Sequence, residues 1–207
     1  MKPTRTNMLP TILPLSLKKS IISHLNDLDE DSKYLRFGYT PSADAITKYV
    51  DESFEHIDKS VWFGYIDKTM CVGAIHVAIN KDGDIAELGI SINPEYRGKK
   101  LSSQLFDRAI EYLKSKNITK VYMQCLSENT VIQYLARKYG MKVSNLGGGE
   151  KEANAELHVD NPIIHKMSGF TNECLGLVDA CFRHNIWLYT SFNGIFTMFN
   201  TTQFFKE

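Results

Sequence analysis

From Glu87 to Ser102 the chain reads as an extended strand, a proline-broken corner, a short basic loop and the start of an amphipathic helix. Ala86, Leu88, Ile90 and Ile92 alternate with Glu87, Gly89, Ser91 and Asn93, so one strand face is apolar and the other polar. Gly89 leaves room on the polar face for a group to approach the backbone. Pro94 breaks the strand, Arg97-Gly98-Lys99-Lys100 forms the loop, and Leu101, Leu105, Ala109, Ile110 and Leu113 share one stripe of the following helix. A strand entering a helix this way leaves backbone N–H groups unpaired at the positive end of the helix dipole. That is a seat for phosphate.

The flanking segments predict an α/β domain around this junction. Apolar spacing gives a helix over 16–28, a short helical segment carrying Tyr34, Leu35 and Phe37, and a helix starting at Pro41-Ser42. Runs 61–66, 71–79 and 85–92 read as three antiparallel strands in a row, joined at Asp67-Lys68-Thr69 and Asp82-Gly83. Residues 121–126 form a strand parallel to 85–92, because a helix crosses between them. A helix over 129–139 ends at Gly140, and two further strands are expected, one from Lys142 to the Gly147-Gly148-Gly149 turn and one over 153–159. The fold class is α/β with a mixed, mostly antiparallel sheet and flanking helices over 1–160. Residues 161–207 follow as a helical, aromatic-rich extension that packs on the domain or on a second copy of the chain.

Composition narrows the function classes. Twenty-four Lys+Arg balance 24 Asp+Glu, which argues against a general nucleic-acid binder. Cys71, Cys125, Cys174 and Cys181 have neither zinc nor disulfide-framework spacing, so reduced thiols and no metal are expected. Pro10 and Pro14 interrupt the short apolar N-terminal run, and Asp179, Arg183 and His184 interrupt the C-terminal one. Neither a signal peptide nor a membrane span is expected, and the chain is placed in the cytoplasm.

Residues 72–159 resemble the GNAT superfamily of acyl-CoA-dependent N-acetyltransferases. Its loop pattern is Arg/Gln-x-x-Gly-x-Gly/Ala. Arg97 matches the first position, Lys100 replaces the first glycine and Ser102 the last small residue, after a typical Asn93-Pro94-Glu95-Tyr96 and with an extra Gly98. Asn129 followed by Gly140-Met141 resembles the family's helix beside the cofactor, and Tyr34-Leu35-Arg36-Phe37 resembles a segment of a subset that includes protein-lysine acetyltransferases. The resemblance implies acetyl-CoA as co-substrate. The backbone of a bulged strand at Ile90, Ser91 and Ile92 would meet the pantetheine. Arg97, Gly98, Lys99, Lys100, Leu101 and Ser102 would hold the pyrophosphate, with Asn129 near the thioester end. The family often carries a tyrosine seven residues after the asparagine as the acid for the departing thiolate. Ala136 stands there instead; Tyr134 and Tyr139 lie nearby but project differently, and Tyr134 is the candidate acid.

Amine acetylation also requires a base. Glu87 shares the polar face of its strand with Ser91, roughly 13 Å away at about 3.3 Å per residue, so a water would relay the proton. The competing reading is a surface carboxylate paired with a lysine. His76 and the Glu156/His158 pair are weaker candidates, since a lone strand histidine is more often structural. The backbone N–H of Ile90 or its neighbour would polarise the carbonyl. The expectation is an N-acetyltransferase acting on a primary amine, of a protein or a small molecule, by direct attack in a ternary complex. A silent acyl-CoA-binding module is the alternative.

Overall fold

A computed structural model of the chain describes residues 8–158 and the separate positions Thr171, Cys174, Leu175 and Val178. Seven strands form one sheet: β1 (Thr11–Ile12), β2 (Ser60–Asp67), β3 (Met70–Ile79), β4 (Ile85–Ile92), β5 (Lys120–Leu126), β6 (Lys142–Gly147) and β7 (Glu150–Glu156), in the order β1-β2-β3-β4-β5-β7-β6. Every neighbouring pair is antiparallel except β4–β5. The helices are α1 (Lys18–Asn26), α2 (Glu30–Phe37), α3 (Ala43–Glu55), α4 (Leu101–Ser115) and α5 (Thr130–Lys138).

The sheet separates two cores. On one side the stripe Leu101, Leu105, Ala109 and Leu113 of α4 buries against Phe63, Ile75, Val77, Leu88 and Ile90. On the other, Ile21 and Leu25 of α1 and Ile46 and Val50 of α3 pack with Leu13, Trp62 and Ala74. Because β3 feeds both cores, it is buried along most of its length, as its apolar run Val72 to Ile75 requires.

Three helices carry side-chain caps at their N-termini. Ser32 N–H donates to Asp29 on α2, Ala45 N–H to Ser42 on α3, and Ile132 N–H to Asn129 on α5. Helix α4 has none.

The observed elements follow the sequence expectation with two changes. Strand β1 escaped the reading because two residues carry no periodicity; it is held by pairing Thr11 with Gly64 and Ile12 with Phe63. Strand β7 spans Glu150–Glu156 rather than 153–159, since the turn is confined to Gly147, Gly148 and Gly149, all at positive φ, and pairing resumes at once. The domain boundary at 160, the extension's packing and its place in a dimer lie outside the described residues. Thr171, Cys174, Leu175 and Val178 are helical and exposed.

Candidate active site

Parallel pairing between β4 and β5 runs only through Ile85↔Lys120, Ala86↔Val121 and Glu87↔Tyr122. Beyond Glu87 the strands part. β4 stays paired to β3 up to Gly73↔Ile92, while β5 pairs with β7 up to Leu126↔Glu150. The gap is a cleft of about 590 Å³ lined by β4, β5, α2 and the start of α5.

Which backbone groups face this gap follows from strand parity. Asn93 N–H donates to Val72 O, and Ile85 O accepts from Asn80 N–H, so odd-numbered residues of β4 direct their backbone to β3. Lys120 N–H donates to Asp84 O, so even-numbered residues direct theirs to β5. The Glu87↔Tyr122 pair engages the Leu88 N–H with Tyr122 O, and with β5 gone beyond it the C=O of Leu88, the N–H and C=O of Ile90 and the N–H of Ile92 point into the cleft. Ile92 O accepts from Arg97 Nε at 3.3 Å. This row is what an extended chain with amide groups needs in order to bind as a further strand.

Two expectations change here. The β3–β4 register is unbroken from Ile92 to Ala86, so β4 has no bulge against β3. Ser91 turns its backbone to β3 opposite Ala74 and offers the cleft its hydroxyl instead, hydrogen-bonded to His24 Nε2 at 2.9 Å. His24 is buried, which pulls its pKa down to about 4 against the opposing charge of Asp27, and it is neutral near pH 7.

At the end of β4 the chain makes a 3₁₀ turn over Pro94–Tyr96 and enters α4 through Gly98 and Lys100, at φ +74° and +62°. Lys100 therefore holds the left-handed conformation a glycine would take, with its side chain exposed. Among the described residues the N–H groups of Leu101, Ser102 and Ser103 have no acceptor, since the first backbone bond of α4 is Gln104 N–H to Lys100 O. Arg97, Gly98 and Ser102 line the cleft. Lys99 and Lys100 do not: the Lys99 ammonium lies 4.6 Å from the Tyr96 ring centre. Leu101 buries its side chain in the core, so only its N–H is available. Arg97 Nη2 also donates to Ser32 Oγ at 2.6 Å, fastening the loop to the first turn of α2.

Glu87 lines the cleft where the strands part, and its Oε2 accepts from Tyr122 Oη at 2.9 Å. That partner is a tyrosine, not the lysine of the competing reading. Burial and the neighbouring Glu87 push the Tyr122 hydroxyl up to about 12, so it stays protonated and donates. His76 also lines the cleft but is 7% exposed, stacked on Trp62 at 4.4 Å, and bonded to Tyr49 Oη and Ser60 Oγ, both at 2.7 Å. Burial, with Arg36 nearby, lowers its pKa to about 3; it is a neutral structural histidine. Glu156 and His158 are exposed at the far end of β7, where Glu156 pairs with Lys120.

Tyr134 is 70% exposed on α5 and is not among the lining residues, so the structure leaves it apart from Glu87. Ala136 is fully buried in the core. Tyr139 donates to Asp107 at 2.6 Å and Ser103 O at 2.8 Å, outside the cleft. Asn129 lines the cleft at 8% exposure, but its amide is engaged: Oδ1 accepts from Ile132 N–H and Nδ2 donates to Leu35 O, both at 3.2 Å, joining α5 to α2. Cys125 lines the cleft as a buried thiol whose pKa burial raises, which keeps it protonated and unreactive. Sequence reasoning missed Tyr122, Leu88 and Ser32 as site residues, and Arg36, noted only within a family segment, lines the cleft over Gly89. Among the described residues no group of three His, Cys, Asp or Glu could hold a metal, and no helix is long and apolar enough to cross a membrane.

Comparison with known proteins points to one family. A family model described as Acetyltransferase (GNAT) family matches residues 25–141. A curated protein of Bacillus subtilis (strain 168), which carries the provisional name ribosomal protein bS18-alanine N-acetyltransferase, is 32% identical over 82 residues, covering 33% of this chain and 54% of that protein. The chain thus spans about half the length of that relative. The crystal structure of the GNAT domain of S. lividans PAT superposes with a TM-score of 0.63 at 16% identity, over 72% of this chain and 89% of that one. That of PaiA N-acetyltransferase from Thermoplasma acidophilum in complex with coenzyme A gives 0.56 at 21% identity, over 72% and 100%. At these identities the likeness to solved structures is one of fold.

Proposed function

The chain belongs to the GNAT family of acetyltransferases, and from that premise we propose that it transfers an acetyl group from acetyl-CoA to a primary amine by direct attack in a ternary complex. The observation that carries this reading is the parting of β4 from β5 directly after Glu87↔Tyr122. It aligns three features along one cleft: a carboxylate at the closed end, free strand amides in the middle, and uncapped helix N–H groups with Arg97 at the open end. That sequence matches a ligand with a thioester, an amide-bearing arm and a pyrophosphate.

When bound, acetyl-CoA supplies the activated acetyl group. The chain's own residues do the rest. The N–H groups of Leu101, Ser102 and Ser103 and the Arg97 guanidinium hold the phosphates. The backbones of Leu88, Ile90 and Ile92 hold the arm, and the Ile90 N–H is placed to donate to the acyl oxygen. Glu87, oriented by Tyr122, takes the proton of the attacking amine, directly or through a water. With Tyr134 exposed outside the cleft and Ala136 at the usual tyrosine position, the departing thiolate takes its proton from solvent. The chain acts in the cytoplasm, on an amine of a protein or a small molecule, with residues 1–160 as the catalytic domain and 161–207 as an extension able to join two copies.

Calorimetry with acetyl-CoA, followed by thiol release on a panel of amines, tests this reading. Micromolar binding with amine-dependent release supports it. Tight binding with no release from any amine supports the second reading, an acyl-CoA-binding regulatory module, which is favoured by Ala136 at the usual tyrosine position and by Tyr134 lying outside the cleft. No binding overturns both.

A further inference from the structure

Arg36, at the end of α2, lies on the cleft floor beside the strand amides. Its guanidinium rests on the backbone of Gly89, where even a methyl group would collide with it. One nitrogen is anchored: Nη2 donates to Tyr49 Oη at 2.9 Å. Arginine only donates, so Tyr49 gives its own proton to His76 Nδ1, and His76, protonated at Nε2, gives its proton to Ser60 Oγ. In that assignment each of these three contacts has one donor and one acceptor. The Phe37 and Tyr49 rings lie 4.9 and 5.8 Å from the guanidinium carbon, fixing its plane. Every support of this cation is neutral. Among the described residues no carboxylate lies within ion-pair distance of it.

The charged residues lining the cleft are Arg36, Glu87, Arg97 and Glu150. Arg97 serves the loop end. Glu87 stands two residues from Gly89 on the same strand face, about 7 Å along the strand, yet it takes its hydrogen bond from Tyr122 and not from Arg36. A fixed guanidinium and a fixed carboxylate thus face one space without pairing, which suits a ligand carrying both an ammonium and a carboxylate. We propose that the acyl acceptor bears a carboxylate close to its reactive amine, and that Arg36 binds this carboxylate while Glu87 receives the amine. The proposal rests on the acetyl-transfer reading and narrows its acceptor. The carboxylate comes from a free amino acid or from an acidic side chain next to a peptide's N-terminal amine.

The test compares matched acceptors in one enzyme preparation, so that loss of fold cancels. Thiol release is measured with L-amino acids against their α-amides, and with the peptide amides Ala-Asp-NH₂ against Ala-Asn-NH₂. The wild-type chain is expected to favour the carboxylate member of one pair by about tenfold or more in kcat/KM. Arg36→Gln should bring that ratio near unity with acetyl-CoA affinity unchanged, and Arg36→Lys should restore part of it. The first pair prevailing names a free amino acid; the second, a peptide. Equal rates within both pairs, or a preference that survives Arg36→Gln, overturns the proposal. If no acceptor releases thiol, calorimetry of the same compounds on the protein saturated with CoA decides. Carboxylate-dependent binding lost in Arg36→Gln upholds the Arg36 site while the acetyl-transfer reading fails; binding indifferent to the carboxylate overturns the site as well.

Discussion

The Tyr122 hydroxyl donates to Glu87 Oε2, and these two residues are also the last register pair before β4 and β5 separate. The group fixing the carboxylate's orientation therefore belongs to the strand whose departure opens the cleft. Chemistry and opening share one point in the sheet.

Glu87→Gln removes the base and keeps the shape. Its kcat near neutral pH should fall by about a hundredfold or more, with acetyl-CoA affinity unchanged by calorimetry. Tyr122→Phe removes only the orienting hydrogen bond, worth about 1 kcal/mol, and should cost roughly fivefold. An unaltered kcat in Glu87→Gln would assign proton removal to another group or to bulk water.

Arg97 holds Ile92 O and Ser32 Oγ in the free protein. Binding phosphate exchanges part of these bonds, so the net loss in Arg97→Ala should sit at the low end of the ~1.5–3 kcal/mol expected for a charged contact. Acetyl-CoA affinity should drop about tenfold, and the remaining affinity should depend less on salt. Calorimetry at two ionic strengths measures both. Equal affinity in the variant would take the loop's charge out of the site.

Much of this geometry was legible in the residues. The alternation Ala86-Leu88-Ile90-Ile92 predicted the buried face of β4 correctly; of the loop residues Arg97, Gly98, Lys99, Lys100, Leu101 and Ser102 expected at the phosphates, Arg97, Gly98 and Ser102 line the cleft and the other three do not. What escaped depends on relations between distant elements. Tyr122 has no mark of its own; only the register of β5 against β4, set by the crossover through α4, puts it beside Glu87. Ser91 was assigned a backbone role that parity denies, because which residues face β3 depends on the turn at Asn80 to Ile85. Tyr134 was chosen by nearness in sequence, whereas the helical turn from Ala136 carries it to the exposed side of α5.

Lys100 stands where the family pattern has a glycine and keeps the left-handed backbone a glycine would take. A non-glycine residue at φ +62° carries about 1 kcal/mol of strain. Lys100→Gly relieves it but loosens the unfolded chain by nearly as much, so the stability change should be within about 1 kcal/mol. Acetyl-CoA affinity should hold. Lys100→Val, β-branched in the same conformation, should lose more than 1 kcal/mol in urea unfolding and weaken acetyl-CoA binding by displacing the N–H groups of α4.

His24 and His76 make the fold acid-sensitive. Both have folded pKa values below the ordinary 6.5, at about 4 and about 3, chiefly through burial. The unfolded state thus binds more protons between these values, and stability falls as pH drops through that window. The full stability is present above 6.5. By pH 5 each histidine should have cost about 2 kcal/mol, before most carboxylates titrate. Urea midpoints at pH 7 and pH 5 measure the loss. The His76 ring signals in NMR should stay flat from pH 8 to 5; a transition near 6 would refute the neutral network.

Gly89→Ala places a methyl group against the Arg36 guanidinium. The obstacle is the far end of a flexible side chain, while β4 is fixed by continuous pairing to β3, so Arg36 should move and the strand should not. Alanine also lowers the entropy cost of ordering a strand residue, by roughly 0.5–1 kcal/mol, so urea unfolding should show little change or a small gain. Two readouts should shift together. The preference for carboxylate-bearing acceptors should fall as in Arg36→Gln, because the cation no longer faces Glu87 across the same space. The His76 pKa should rise, because Arg36 is one of the two causes holding it down. If instead the acceptor preference persists and the protein is destabilised, the strand has given way and Gly89 serves the sheet rather than the placement of Arg36.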